Sequence, residues 1–374
     1  MTRKTLLLAL LPAAALAALP LVLAAEDWPQ WLGPRSNGSA TGVLAAPAGA
    51  KPVQLRKLWQ RPAEKAGSSL VAVGDRVYTL EAHEGADFAV ALDAATGREA
   101  WRVRIDASDP GALEETGPNS TPAVADGRVF ALGTACRLMA LDAATGRVLW
   151  QQSLKEKFGT GQHRVGCQTS PLPAGDRLIV QASGDKENRL VALAPDTGAV
   201  VWTSKGVDRT SSSSPVLAEI GGERQVVVHY RDLAADGISG LYGARLADGE
   251  VLWSVRLDQG SSVDTPLVLP GDRIVLQTWS DARLFQVKKE GGKLTAAQVW
   301  STDALRAASG PPVFHDGHLY GFGQDFLACV DAATGKPLWK QKLYAGAIAL
   351  ADGHLIAVSP ASGQLHIAEA TPAG

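Results

Sequence analysis

The sequence ALDAATG at residues 140–146, followed by Trp150, decides the fold because it recurs along the chain. Similar units stand at residues 91–97, 192–198 and 329–335, and in each the tryptophan comes four residues after the glycine. Weaker copies precede two further tryptophans. The full series, spaced 39 to 52 residues apart, is Trp59, Trp101, Trp150, Trp202, Trp253, Trp300 and Trp339. This interval is the size of one four-stranded blade of a β-propeller.

Each unit has the chemistry of a strand, a turn and a second strand. An apolar run leads into an aspartate whose side chain can accept turn N–H groups, and then into a glycine that tolerates positive φ. The tryptophan then lies on the outer strand of its blade. We expect its ring to fill the gap between neighbouring wedge-shaped sheets and its indole N–H to reach a backbone acceptor.

A second series marks the inner hairpin of each blade. Two-residue turns separate short apolar or β-branched runs, which is the strongest local signal for a β-hairpin. The seven turns are Gly74-Asp75, Asp126-Gly127, Gly175-Asp176, Gly221-Gly222, Gly271-Asp272, Asp316-Gly317 and Asp352-Gly353. Seven hairpins and seven tryptophans predict an all-β propeller of seven four-stranded antiparallel blades.

The two series are offset at the chain ends. Trp59 has no hairpin before it, and the hairpin at Asp352 has no tryptophan after it. We therefore predict that residues from Leu55 to Gln60 supply the outer strand of the last blade, so that N- and C-terminal strands share this blade and close the ring. An eighth or incomplete eighth blade is the alternative.

The first residues have the pattern of an export signal. Arg3 and Lys4 precede an apolar run that ends in the small residue Ala24. We predict a signal peptide at 1–25, an N-terminal extension at 26–52 and the propeller at 53–374, in a periplasmic or secreted protein. An uncleaved membrane anchor is the alternative, which Pro12 and Pro20 disfavour. Because no cysteine follows the run, we do not expect a lipoprotein.

The charge of the chain is balanced. Its 374 residues include 36 basic and 38 acidic side chains, which are scattered throughout and give a net charge of −2. No basic stripe indicates a nucleic-acid partner. No later apolar run is long enough to cross a bilayer. We expect a monomer.

The unit Ala-x-Asp-x-x-Thr-Gly-x-x-x-Trp at 91–101, 140–150 and 329–339 resembles the tryptophan-docking repeat of the PQQ-dependent alcohol dehydrogenases. It is also similar to that of the outer-membrane assembly lipoproteins of the BamB type. The stretch DWPQWLGP at 27–34 looks like the opening of exported PQQ-binding-like β-propeller repeat proteins. The fold implied is the quinoprotein alcohol dehydrogenase-like propeller, which hosts both enzymes and scaffolds.

In the dehydrogenases this resemblance would imply a quinone stacked on a tryptophan beside a pair of adjacent cysteines, with Ca²⁺ held by carboxylate and amide groups. No two of the three cysteines here are adjacent. We therefore predict no catalytic, cofactor-binding or metal-binding residue, and PQQ and Ca²⁺ are unsupported. His315 and His318 flank a turn, and Asp106, Asp109, Glu114 and Glu115 share one loop, but neither set has the spacing of a metal site.

The connections between blades share one face of the ring, here called the inter-blade face, and the inner-hairpin turns share the opposite turn face. Loops on a rigid scaffold commonly carry function. We expect Arg164, Arg209 and Arg306, with Asp264, to form a polar mouth for an anionic ligand or an extended peptide, and Trp279 to face the funnel or pack on a loop. The serine and threonine hydroxyls at the strand entries line the funnel, or only tie down the backbone there.

Two cysteines fall on the inter-blade face. In an oxidising compartment we predict that Cys136 and Cys167 form a disulfide, and that Cys329, inside a strand, is a buried free thiol. The sequence thus favours a binding or scaffold protein that uses its inter-blade loops to hold an envelope protein or peptide. The alternative is a PQQ- or metal-dependent oxidoreductase with its site in the central funnel.

Overall fold

The computed structural model describes residues 25–42, 56–63, 65, 67–109, 117–159, 167–182, 189–204, 213–231, 239–257, 264–306, 310–344, 346–359 and 363–374. Within these ranges the chain forms 28 β-strands and one short helix, α1 (Leu154–Phe158). The strands make seven four-stranded sheets. This confirms the predicted all-β, seven-bladed propeller.

Blades 1 to 6 each consist of four consecutive antiparallel strands, of which the first is innermost. Blade 1 contains β2 (Val71–Val73), β3 (Arg76–His83), β4 (Ala86–Asp93) and β5 (Glu99–Ala107). Blade 2 contains β6 (Ala123–Ala125), β7 (Arg128–Leu132), β8 (Arg137–Asp142) and β9 (Val148–Ser153). Blade 3 contains β10 (Leu172–Pro173), β11 (Leu178–Ala182), β12 (Arg189–Leu193) and β13 (Val200–Thr203).

The next three blades repeat this order. Blade 4 contains β14 (Val216–Ile220), β15 (Glu223–Arg231), β16 (Ser239–Arg245) and β17 (Val251–Leu257). Blade 5 contains β18 (Leu267–Leu269), β19 (Arg273–Gln277), β20 (Ala282–Glu290) and β21 (Lys293–Thr302). Blade 6 contains β22 (Val313–His315), β23 (His318–Phe322), β24 (Phe326–Asp331) and β25 (Pro337–Lys342).

Blade 7 joins the two ends of the chain. It contains β26 (Ala347–Ala351), β27 (His354–Ser359) and β28 (Gln364–Glu369), and its fourth strand is β1 (Ser39–Ala40). β1 lies parallel to β26 on the inner edge of the sheet. The extension preceding residue 53 therefore contributes a strand to the propeller.

The predicted route of closure was wrong in one respect. Residues 56–63 form no strand, so the segment around Leu58 does not pair with β28, and the Leu58 side chain is 61% exposed. Leu55 lies outside the described residues. Small residues explain why the inner edge is used instead, because a Cβ at Gly38 would lie only 2.9 Å from Cγ1 of Val313 in blade 6. The approach to blade 6 therefore requires a glycine at position 38.

The repeated tryptophans dock between blades as predicted. The indole N–H of Trp101 donates to the carbonyl of Ala143 in blade 2 at 3.0 Å, and that of Trp150 donates to Pro195 in blade 3 at 2.8 Å. The remaining bonds of this kind run from Trp59 to Ala94, from Trp202 to Leu246, from Trp300 to Ala332 and from Trp339 to Thr371. Trp59 thus docks on blade 1 although its own segment is not a strand.

A β-bulge accompanies the docking tryptophan in each of the six complete blades. In blade 2, for example, Ala140 pairs with Trp150, and the register shifts directly after it. The same shift follows the partners of the tryptophans in blades 1, 3, 4, 5 and 6. Bulges bend a strand and redirect a side chain. We infer that these bulges help to orient each indole towards the next blade.

Blade 4 departs from the pattern. The indole N–H of Trp253 donates to Oε1 of Gln225 in its own blade, at 2.7 Å. Blade 5 joins its third and fourth strands by a tight hairpin at Gly291-Gly292 and lacks the Asp-x-x-Thr-Gly turn that receives the indole in blades 1, 2 and 6. The seam between blades 4 and 5 therefore differs from the others, whereas the weaker copy of the repeat in blade 4 still receives the indole of Trp202.

Candidate functional site

Hydroxyl groups at the strand entries tie neighbouring blades together. The backbone N–H of Ser69 donates to Thr121, that of Thr121 donates to Ser170, and that of Ser170 donates to Ser214. The hydroxyl of Ser213 then donates to the backbone carbonyl of Asp264, at the entry to blade 5. The sequence left two roles open for these hydroxyls, lining the funnel or holding the backbone at the strand entries. The bonds show that they hold the backbone of neighbouring blades.

The N-terminal residues 25–42, here called the channel segment, run across the innermost strands of the ring. Trp28 forms an antiparallel bridge to Ala72 of blade 1, and the indole N–H of Trp31 donates to the hydroxyl of Thr265 in blade 5 at 2.9 Å. Further backbone bonds join Pro29 to Val124 in blade 2, and Gly38 to Leu350 in blade 7. The chain thus occupies its own central channel.

An ion pair braces the channel segment. Arg35 donates to both carboxylate oxygens of Glu26, at 2.6 and 2.9 Å, and the backbone N–H of Thr41 donates to the same carboxylate. The hydrogen bond from Arg35 holds the pKa of Glu26 below its usual value. The two ends of the segment are therefore fastened to each other as well as to the blades.

Three aromatic side chains stand exposed along the inter-blade face of blades 5 and 6, and we call them the rim patch. Trp279 follows the end of β19 and is 57% exposed, Phe326 begins β24 and is 41% exposed, and Tyr344 follows β25 and is 54% exposed. Sequence reasoning found Trp279 because it lies outside the repeat, but missed the other two.

Hydrogen bonds connect the segments that carry the rim patch. The carboxamide of Gln277, two residues before Trp279, donates to the carbonyls of Arg306 and Phe322. The backbone N–H of Leu343, next to Tyr344, donates to the carbonyl of Asp325, next to Phe326. The Trp279 turn is itself fixed, because the hydroxyl of Thr278 bonds to Asp281 at 2.5 Å. The patch therefore rests on an ordered support.

The other predicted binding residues lie in different settings. Asp264 is only 5% exposed, and Arg306 is partly buried, with its backbone N–H bonded to Phe322. Arg164 and Arg209 lie outside the described residues. A mouth built from all four side chains stays a prediction.

The structure contains the disulfide between Cys136 and Cys167, with Cα atoms 5.2 Å apart. The neighbouring turn is held by a buried carboxylate, since Oδ2 of Asp87 in blade 1 accepts from both the N–H and the hydroxyl of Thr134 at 2.7 and 2.6 Å. Cys329 is a buried free thiol, and burial raises its pKa above the ordinary value. The disulfide therefore joins the blade 2 rim to the start of blade 3.

The residues present do not fit the quinone site that the resemblance would imply. The sequence has no adjacent cysteines, and the innermost strands of blades 1, 2 and 7 are bonded to the channel segment. In the described part of the chain no three histidine, cysteine, aspartate or glutamate side chains are grouped as metal ligands would be. Asp106, one of the loop carboxylates considered for Ca²⁺, pairs with Arg137 at 2.6 Å. We therefore derive no reaction through a quinone.

The model of the family described as "Outer membrane protein assembly factor BamB" matches residues 86–265 and 293–371. The chain belongs to this family. No curated protein sequence matches it significantly. Within the ranges described above, no helix has the length and apolar character needed to cross a membrane.

Several solved structures are similar to this BamB family member. BamB from Moraxella catarrhalis superposes with a TM-score of 0.58 at 19% identity, covering 83% of this chain and 85% of that one. A europium-containing methanol dehydrogenase gives a TM-score of 0.47 at 13% identity, over 92% and 89% of the two chains. Quinohemoprotein alcohol dehydrogenase from Comamonas testosteroni gives 0.43 at 13% identity, over 79% and 70%.

Proposed function

We propose that this chain is an exported binding or scaffold protein that holds an envelope protein or peptide against its inter-blade face. The observation that carries the proposal is the rim patch of Trp279, Phe326 and Tyr344. Neighbouring exposed aromatic side chains on a rigid support are typical of protein-binding surfaces, where aromatic anchors dominate the energy. The family description, which names an assembly factor, supports a protein partner in the envelope.

The occupied channel supports the same proposal. Propeller enzymes need a pocket for substrate, but here the channel segment is bonded to four of the seven blades at their inner edges or entries. An extended partner would instead lie across the face, where each aromatic ring offers a large contact area at a low entropic cost. The partner side chains expected to fit are apolar or aromatic.

An exported location fits the chemistry of the cysteines. A disulfide between Cys136 and Cys167 persists in an oxidising compartment and is rare in the bacterial cytosol. The signal-like residues 1–25 would direct the chain there. We therefore propose that the protein acts in the periplasm or outside the cell, and we expect it to be a monomer.

The test compares two triple variants in partner capture from the native envelope. The first replaces the rim patch by serine, as Trp279→Ser, Phe326→Ser and Tyr344→Ser. The matched control replaces three apolar residues of similar exposure at the turn-face ends of outer strands, as Val148→Ser, Val200→Ser and Leu338→Ser. We expect capture to fall at least about tenfold for the first variant only, which corresponds to the loss of about 1.4 kcal/mol.

Equal capture by the rim variant and the control would refute the proposal. A separate arm adds PQQ and Ca²⁺ to the purified protein. Saturable binding of PQQ with alcohol- or sugar-dependent dye reduction would favour the oxidoreductase instead.

A further inference from the structure

A repeated charge pattern marks the turn face. In six of the seven blades the inner-hairpin turn carries an aspartate, and in blade 4 Glu223 follows the Gly221-Gly222 turn directly. A basic residue or histidine stands at or beside the start of the second strand of each blade. The basic series is Arg76, Arg128, Arg177, Arg224, Arg273, His318 and His354. A local departure from this pattern creates a distinct electrostatic environment on the face.

Blades 1 and 2 show two ways in which this arginine is paired with a carboxylate. Arg76 lies 3.4 Å from Asp93, at the end of the third strand of its own blade. Arg128 lies 2.6 Å from Asp196, in the corresponding turn of blade 3. Each guanidinium therefore finds a carboxylate either within its blade or on the next one.

Arg177 of blade 3 lacks both of these partners. The same backbone hydrogen bond in the turn between the third and fourth strands shows which residues of blades 1, 3 and 4 are equivalent. The glycine N–H donates to the carbonyl four residues earlier, from Gly97 to Asp93, from Gly198 to Ala194 and from Gly249 to Arg245. Alanine thus replaces the carboxylate of Asp93 within blade 3. In blade 4 the position of Asp196, two residues before the glycine, is held by Ala247.

A cavity of about 400 Å³ lies where these carboxylates are missing. It is lined by Asp176, Arg177, Glu223, Arg224, Arg245 and Ala247, among others, and it lies between blades 3 and 4. This volume is in the range of pockets that hold small molecules, which is on the order of 300–1,000 Å³.

Two of the three arginines have donors to spare. Nη1 of Arg177 bonds to the carbonyl and carboxylate of Asp176, but its Nε is buried and has no hydrogen-bond partner. Arg224 is exposed and forms no ion pair within the described residues. Buried N–H groups without an acceptor are costly, and a guanidinium fork is shaped to bind an oxyanion.

Arg245 is already neutralised. It contacts Glu223 and Asp248 at 2.9 Å each, and Glu250 at 2.5 Å. These carboxylates, Glu223 first, raise its pKa above the ordinary value. Together with Asp176 they would repel an extended polyanion, so that the cavity favours a small ligand with one compact anionic group.

We propose that the cavity between blades 3 and 4 binds a small molecule through a carboxylate or phosphate group held by Arg177 and Arg224. The site lies on the turn face, away from the rim patch, and is independent of partner binding there. The oxyanion takes the place that a carboxylate occupies beside Arg76 and Arg128.

Isothermal titration calorimetry of the full mature protein tests the site with two probes, acetate and inorganic phosphate, at constant ionic strength. We expect saturable binding of at least one probe, and the stronger probe identifies the oxyanion. The double variant Arg177→Gln and Arg224→Gln should weaken that binding at least about tenfold. The matched control, Arg128→Gln with Arg273→Gln, changes the equivalent positions of blades 2 and 5 and should leave the binding unchanged.

A second variant separates ligand binding from folding. Ala247→Asp restores on blade 4 the carboxylate that Asp196 supplies on blade 3, at an exposed position. The new side chain should pair with Arg177, leave the melting temperature equal or higher, and abolish binding of the probe. Absence of saturable binding to the unmodified protein, or binding that survives both Ala247→Asp and the double arginine variant, would overturn the proposal.

Discussion

Two glycines of blade 2 allow the docking of a tryptophan to be measured. Gly146 and Gly127 both have positive φ, at 74° and 71°. A Cβ added at Gly146 would lie 2.9 Å from Cδ2 of Trp101 and 3.0 Å from its Cγ, whereas a Cβ at Gly127 would meet nothing within 4 Å. The variants Gly146→Ala and Gly127→Ala therefore share the backbone strain and differ in the contact with the indole.

The expected difference follows from these contacts. Left-handed backbone costs an alanine roughly 1–2 kcal/mol, which applies to both variants. At Gly146 the methyl group also displaces a ring that is 8% exposed and packed in the core between blades 1 and 2, and such overpacking costs about 1–3 kcal/mol. Weakening the indole bond to Ala143 adds about 1 kcal/mol. We expect Gly146→Ala to be less stable than Gly127→Ala by about 2–4 kcal/mol.

Urea denaturation followed by far-UV circular dichroism measures both variants. A double-mutant cycle supplies the control, because in a Trp101→Ala background the penalty of Gly146→Ala should fall to that of Gly127→Ala. If the two glycine variants unfold within about 0.5 kcal/mol of each other, docked indoles do not set the stability of the ring, and our account of how the blades are held together fails.

Three further predictions concern the disulfide, the turns and the channel segment. Replacing Cys136 and Cys167 by serine should cost about 2–4 kcal/mol, and the unmodified protein should show one free thiol when denatured without reductant; three would contradict the pairing. Hydrogen bonds from Thr96, Thr145 and Thr334 lower the pKa of Asp93, Asp142 and Asp331, so their stabilisation is complete above the ordinary pKa and is lost as pH falls through the lowered one. As the pH is lowered from about 5 to 2, the melting temperature of the triple Asp→Asn variant should therefore fall less than that of the unmodified protein. Parallel plots of melting temperature against pH for the two proteins would contradict this prediction. Trp31→Phe should cost about 1 kcal/mol by removing the bond to Thr265, and a Thr265→Val background should cancel most of that cost.

The parts of the fold that the sequence predicted well are those built from local, repeated chemistry. The residues that stabilise the turn from Asp142 to Gly146 all lie within the turn itself. The indole of Trp150 docks on the equivalent turn of the next blade, blade 3. Because the same contact recurs around the ring, one local pattern predicts many long-range contacts. The alternation of turns and tryptophans was therefore enough to give the blade number.

Closure and the candidate site depend on contacts that occur only once. The count of strands showed that a strand was needed near the N-terminus, but not on which edge of blade 7 it lies, because Leu58 has the apolar character of a strand residue and Ser39 does not. Phe326 and Tyr344 likewise look like core residues in the sequence. Only their position at strand ends in the folded chain exposes them on the same face as Trp279.

The functional candidates coincide with departures from the repeat, and this follows from how the ring is built. A side chain that recurs in many blades, such as the docking tryptophan, serves a contact that every blade must make. The channel segment is bonded to four blades near the axis, and the two faces are surfaces on which a blade can differ without breaking the ring. Trp279 stands on one face where no other blade has a tryptophan, and Ala247 stands on the other where blade 3 has a carboxylate. We expect a substitution at either position to change what the surface binds while leaving the seams between blades intact.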